Sequence, residues 1–199
     1  MGISARQFEE LQERVSGKRR APVITAVGAE AVDHQIILGV DPSLRGTGYG
    51  VIRLGTGRPQ TLVQGTIKCP ARMRRSECFV AISTALREVI QKHSPTACAI
   101  EGLFYAQNPK TALTMGEARG AALAVLAEAK LEIVEIAPRK VKQSIVGYGN
   151  AQKLAVAKMV QRMLALEELP APDAADALAV ALTFAHLNKR FAIEPAQKI

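Results

Sequence analysis

The chain has 199 residues, 48% of them hydrophobic, which suits one domain with a genuine core. No apolar run is long enough to cross a bilayer, and the three cysteines (Cys69, Cys78, Cys98) have neither the even count of a disulfide framework nor C-x-x-C spacing for zinc. Lys and Arg outnumber Asp and Glu by 26 to 18, and a net charge of +8 favours a polyanionic partner, nucleic acid before an acidic membrane.

Residues 1–35 read as a mobile extension. Ser4-Ala5-Arg6-Gln7 resembles a capping box opening a short helix, with Phe8, Leu11 and Val15 on one side, and Gly17 to Pro22 break it. Five basic and five acidic residues leave this segment near neutral, so the +8 belongs to the remainder. The segment lacks the apolar core of a signal peptide, and free thiols suit a reducing compartment, so a cytoplasmic location is expected.

From residue 36 the pattern is regular. Ile36–Asp41 is a short apolar run, one buried strand long, that ends on an acid. Pro42 stops it, Arg45-Gly46-Thr47-Gly48 is predicted to turn, and Tyr49–Leu54 returns as an antiparallel partner. A third strand is predicted over 60–67 and a helix over 73–92, with Cys78, Ile82, Leu86, Val89 and Ile90 on one stripe. Ala97–Glu101 is a second buried strand ending on an acid. A helix over 109–129 starts at Asn108-Pro109, a cap and first-turn pair. A fifth strand follows over 131–136, then helices over 138–146, 151–166 and from Pro172 to about 189, with 191–199 left as a short tail. Three hairpin strands followed by strand–helix–strand predict an α/β domain over 36–190: a five-stranded mixed sheet with helices on both faces.

Four acids carry the chemistry. Asp41 and Glu101 end buried strands, and parallel pairing of those strands would set both at the same sheet edge, where open α/β sheets build their sites. Asp173 and Asp176 lie three apart in a helix's first turn, hence on one face. Taken singly, the last two could simply complement the helix dipole, and Asp41-Pro42 could be an ordinary turn starter. Taken together, clustered carboxylates repel unless a cation neutralises them, and oxygen-only donors suit Mg²⁺ or Mn²⁺. A pair of such ions about 4 Å apart activates water and stabilises the leaving oxygen of a phosphodiester.

Between Glu135 and Glu167 there is no acid, only Arg139, Lys140, Lys142, Lys153, Lys158 and Arg162, a one-sided charge run that suits phosphates. Lys68, Arg72, Arg74 and Arg75 form a second basic cluster, for which a solvated surface is the plain alternative. Phe104-Tyr105 follow Glu101 in a predicted loop, where an aromatic ring stacks on an unpaired base or packs the loop itself.

These motifs together resemble the RuvC-type Holliday junction resolvases, which have a ribonuclease H-like fold. The resemblance runs from Leu38-Gly-Val-Asp-Pro-Ser-Leu-Arg-Gly-Thr-Gly-Tyr-Gly-Val51 through Ala99-Ile-Glu-Gly-Leu-Phe104 and Gly116-Glu-Ala-Arg-Gly120 to Val141-Lys-Gln143. It closes with Val146-Gly-Tyr-Gly149, Lys153 and Asp173-Ala-Ala-Asp-Ala-Leu-Ala179. It departs from the family pattern at Ser43, where many relatives carry Gly, and at Gly102-Leu103, which replaces a bulkier pair. The resemblance implies that Asp41, Glu101, Asp173 and Asp176 are catalytic acids holding Mg²⁺, two ions per subunit with Mn²⁺ able to substitute. It implies that Phe104 opens the junction by stacking, and that Lys142 and Lys153 belong to the basic active-site face. It further implies a homodimer that cuts two symmetric strands of a four-way DNA junction during recombination and repair, leaving 5′-phosphates, in cooperation with the RuvAB branch-migration complex. Three other readings exist. An actin-like sugar kinase would need a second phosphate hairpin that the chain lacks. A non-catalytic DNA-binding module would have lost one of the four acids. A related nuclease acting on other branched nucleic acid remains open at this point.

Overall fold

A computed structural model describes residues 34–103 and 108–188. Its elements are strands β1 (Ile36–Asp41), β2 (Gly46–Arg53) and β3 (Gln60–Lys68), helix α1 (Arg75–His93), strand β4 (Ala97–Glu101), helix α2 (Pro109–Glu128), strand β5 (Glu132–Ile136), and helices α3 (Pro138–Val146), α4 (Lys153–Leu164) and α5 (Pro172–Leu187). The five strands form one sheet in the order β3-β2-β1-β4-β5. β1–β2 and β2–β3 pair antiparallel, whereas β4 runs parallel to β1 and β5 parallel to β4. The mixed sheet expected from the sequence is therefore present.

Side-chain alternation along β1 divides the core. Ile37 faces a cluster built with Ile145, Val156, Val160, Leu178 and Leu182 from α3, α4 and α5. Leu38 and Val40 face the opposite cluster, with Cys78, Ile82 and Leu86 of α1 and Ala118, Ala122 and Leu126 of α2. This period of two is what a strand buried on both faces requires. α5 is buried nearly all round, from Ala174 to Ala185, which fits its near-continuous apolar sequence.

Two helix ends follow their local sequence. Asn108 caps α2, its side-chain oxygen accepting from the Lys110 N–H at 2.9 Å, with Pro109 in the first turn. Gly147 ends α3 in the left-handed region at φ 98°. At the start of the described residues, the buried His34 ring bridges the Thr96 hydroxyl (2.9 Å) and the Glu132 carboxylate (2.7 Å), tying the entry of β1 to β4 and β5.

One expectation is overturned. Arg45-Gly46-Thr47-Gly48 is not the turn: Gly46 already opens β2, with Gly48 paired to Asp41. The reversal falls on Pro42–Arg45, where the buried Thr47 hydroxyl donates to the Ser43 carbonyl at 2.6 Å and accepts from the Ser43 N–H at 3.3 Å. The glycines that suggested a turn, Gly46 and Gly48, pack closely against Asp173 of α5, and Gly39 and Gly50 do the same against Ala177 and Leu178. A Cβ on Gly39 would stand 2.0 Å from the Ala177 carbonyl oxygen, and one on Gly50 would stand 2.5 Å from Leu178 Cδ2. α5 can therefore lie almost on the backbone of β1 and β2. Helix bounds differ from expectation by about two residues at each end of α4 and at the start of α1, the usual fraying of periodic signals near caps.

Candidate functional site

The parallel register of β1 and β4 pairs Val40 with Ile100, so Asp41 and Glu101 come next at the same sheet edge. The two side chains are hydrogen-bonded to each other. Burial raises the Asp41 carboxyl, with Asp176 and Asp173 adding repulsion. Burial, then the Asp41 charge, push Glu101 further, up to about 8. The pair therefore shares a proton, since two buried carboxylates in contact cannot both ionise cheaply.

α5 brings the other two acids. Its first turn starts at Pro172 and carries Asp173. A Cβ on Gly46 would lie 2.8 Å from Asp173 Oδ2, so the absence of a side chain there makes room for this carboxylate beside β2. Asp176, one turn on, is close enough to raise both Asp41 and Glu101. Its Oδ2 accepts from Lys153 Nζ at 2.7 Å. That bond raises the Lys153 ammonium above its ordinary value, and the same cation eases Asp41 and Glu101 down. Lys153 opens α4, so four elements (β1, β4, α4 and α5) meet at one corner.

The acids are thus within electrostatic reach of one another, yet among the described residues no three His, Cys, Asp or Glu side chains are already gathered into a cage for one ion. Asp41 is turned to Glu101 and Asp176 to Lys153. The donor set nevertheless fits a hard divalent cation. It is oxygen-only, it is mounted on rigid element ends, and its mutual repulsion is what such a cation relieves.

Other expected residues lie as follows. Lys142 stands half-buried on α3, and Arg139 and Lys140 are exposed on the same helix. The Arg139 side chain lies over Gly149, where a Cβ would meet its Cγ at 2.5 Å. No ion pair joins these three to the four acids among the described residues. Phe104 lies outside the described residues. Of the second basic cluster, Arg74 pairs with Glu77 and Arg75 with Glu117; Arg45, outside that cluster, donates to the Pro70 and Met73 carbonyls.

Sequence reasoning gave Arg119 no role. It is buried on α2, donates to the Glu101 carbonyl at 2.5 Å and pairs with Glu135 of β5. The available signal was a lone guanidinium among Gly and Ala, in a helix whose small residues imply close packing.

Among the described residues no helix is long and apolar enough to cross a membrane. The sequence model of the family "Crossover junction endodeoxyribonuclease RuvC" matches residues 37–184. The protein of that name from Heliobacterium modesticaldum is 45% identical over 152 residues, 76% of this chain and 94% of the relative. Among solved structures, Thermus thermophilus RuvC in complex with Holliday junction substrate superposes with a TM-score of 0.73 at 33% identity, covering 78% of this chain and 96% of that one. The yeast mitochondrial Holliday junction resolvase Ydc2 shares the fold, with a TM-score of 0.56 at 12% identity, over 91% and 87% of the two chains. By these matches and its five-stranded mixed sheet, the chain belongs to the RuvC family of crossover junction endodeoxyribonucleases.

Proposed function

We propose that this protein resolves four-way DNA junctions by metal-dependent phosphodiester hydrolysis, with Asp41, Glu101, Asp173 and Asp176 as the acids that hold Mg²⁺. The observation that carries the reading is the meeting of Asp41 with Glu101 at one sheet edge, under the acidic first turn of α5. Two Mg²⁺ ions, with Mn²⁺ able to replace them, supply when bound an activated water and charge stabilisation at the scissile phosphate.

The protein's own part is binding and positioning. Asp41 lies next to Glu101 and within the field of both α5 acids, so it would hold Mg²⁺ together with them. Lys153 neutralises Asp176 in the free protein, and its long, 73% exposed side chain can transfer to an incoming phosphate. Lys142, Arg139 and Lys140 extend a basic face on α3 for the DNA backbone, and Phe104 stacks on a base at the junction. Two subunits acting as a homodimer place two such sites on the symmetric strands, and RuvAB is the partner that moves the branch point. The extension expected over residues 1–35 lies, up to residue 33, outside the described residues.

The test is product analysis on a synthetic junction with Mg²⁺. Paired nicks at symmetric positions with ligatable 5′-phosphate ends support the reading. Scattered cutting or 3′-phosphate ends overturn it.

A further inference from the structure

Glu101 is the last residue of β4, where the parallel ladder with β5 runs out. The chain beyond is held by the Gly102 N–H donating to the Ile136 carbonyl at 2.9 Å. The Glu101 carbonyl itself is taken by a side chain: Arg119 Nη1 donates to it at 2.5 Å. The second amino group of the same guanidinium pairs with the Glu135 carboxylate. Arg119 is only 10% exposed at its side chain, whereas Glu135 is 59% exposed. The Glu135 carboxylate folds over Gly102, where a Cβ would stand 2.8 Å from Oε1. The bare backbone at Gly102, one of the departures from the family pattern, is thus the space this carboxylate uses.

Desolvating a guanidinium against a half-exposed carboxylate is a poor way to gain stability. What the arrangement does provide is geometry. A planar fork reaches two acceptors at once, on β4 and β5, from a third element, and a Lys ammonium lacks that fork. Arg119 meets the main chain of Glu101, whereas the carboxyl itself is partnered with Asp41.

We infer that Arg119, braced by Glu135, is a positioning residue for the reaction: it fixes the main chain at Glu101 so that this carboxylate meets the metal in one orientation. The inference rests on the reading of Glu101 as a metal-holding acid. Supporting groups of this kind alter metal affinity roughly tenfold or more when removed.

The test is a Mg²⁺ titration of single-turnover junction cleavage by the full chain and its Arg119→Lys, Glu135→Gln, doubly substituted and Glu101→Gln variants. Junction affinity is measured in parallel with Ca²⁺ in place of Mg²⁺. Arg119→Lys is expected to raise the half-saturating Mg²⁺ concentration roughly tenfold, with junction affinity within about twofold of wild type. Glu135→Gln is expected to shift the midpoint the same way by less. The double variant should be no worse than Arg119→Lys alone, because both act through one bond network. A folded Arg119→Lys protein with a wild-type midpoint overturns the inference. So does a fall in melting temperature and rate with an unmoved midpoint, which marks a purely structural role. If Arg119→Lys does not fold, the exposed Glu135→Gln substitution decides, and an unmoved midpoint there overturns the inference. Wild-type cleavage by Glu101→Gln would instead defeat the reading of the acids.

Discussion

Gly48 and Asp173 are in backbone contact across the sheet–helix boundary: a Cβ on Gly48 would stand 1.9 Å from the Asp173 carbonyl oxygen. Gly48 pairs with Asp41 in the β1–β2 ladder, so the contact sets the depth at which the first turn of α5 sits over the first acid. Backbone cannot move aside as a flexible side chain can. Gly48→Ala is expected to cost about 1–3 kcal/mol in urea unfolding, and to lower cleavage beyond what the lost fold accounts for. Gly57, with nothing within 4 Å of its would-be Cβ, is the control, and Gly57→Ala should stay within about 0.5 kcal/mol. Equal effects at the two glycines would contradict this.

Lys153 and Asp176 form an ion pair whose lysine side chain is 73% exposed and whose carboxylate is 16% exposed. Solvent screens such a pair, so Lys153→Ala should change unfolding free energy by no more than about 1 kcal/mol. Cleavage should fall roughly tenfold or more, because a cation aimed at developing phosphate charge is lost. Lys142→Ala should likewise slow cleavage at moderate salt without lowering the melting temperature. Unchanged cleavage in either variant would remove that lysine from the site.

The Asp41–Glu101 pair makes stability depend on pH. Burial and Asp41 hold the Glu101 carboxyl up at about 8, against 4.5 for an ordinary Glu. The folded protein therefore binds this proton more tightly than the unfolded chain, and ionisation opposes folding between those values. In chelator, the melting temperature of wild type relative to Glu101→Gln should fall as pH rises through that window. Added Mg²⁺ should stabilise wild type more at the upper end of the window than at the lower, because chelation needs the ionised pair. Parallel pH profiles for the two proteins would contradict the shared proton.

Thr47 offers a test of the true reversal. Its hydroxyl satisfies both the N–H and the carbonyl of Ser43 within the buried corner after Asp41. Thr47→Val keeps the shape and removes both bonds, and should cost about 1–3 kcal/mol. A neutral substitution would show that water replaces the hydroxyl there.

Much of the placement of these acids is legible in the sequence. Ile36–Asp41 and Ala97–Glu101 announce themselves as apolar runs ending on acids, and a two-face core leaves only the strand ends free for charge. The spacing of Asp173 and Asp176 after Pro172 likewise declares a helix start. The purpose of Gly46 and Gly48 was misread because glycine marks turns and close approaches alike, and only the position of α5 separates the two. Arg119 was passed over for a related reason. Its partners, the Glu101 carbonyl and Glu135, are 18 and 16 residues away and are brought to it only by the parallel β4–β5 pairing.

The most direct measurement compares wild type and Asp41→Asn on a synthetic four-way junction and on a linear duplex of matching sequence, with Mg²⁺. The account predicts paired symmetric nicks in the junction alone. It predicts that Asp41→Asn loses cleavage by roughly 100-fold or more while binding the junction as tightly as wild type, since the substitution removes an acid and leaves the basic face intact. Cleavage that survives in Asp41→Asn, or wild-type cutting of duplex and junction alike, would contradict it.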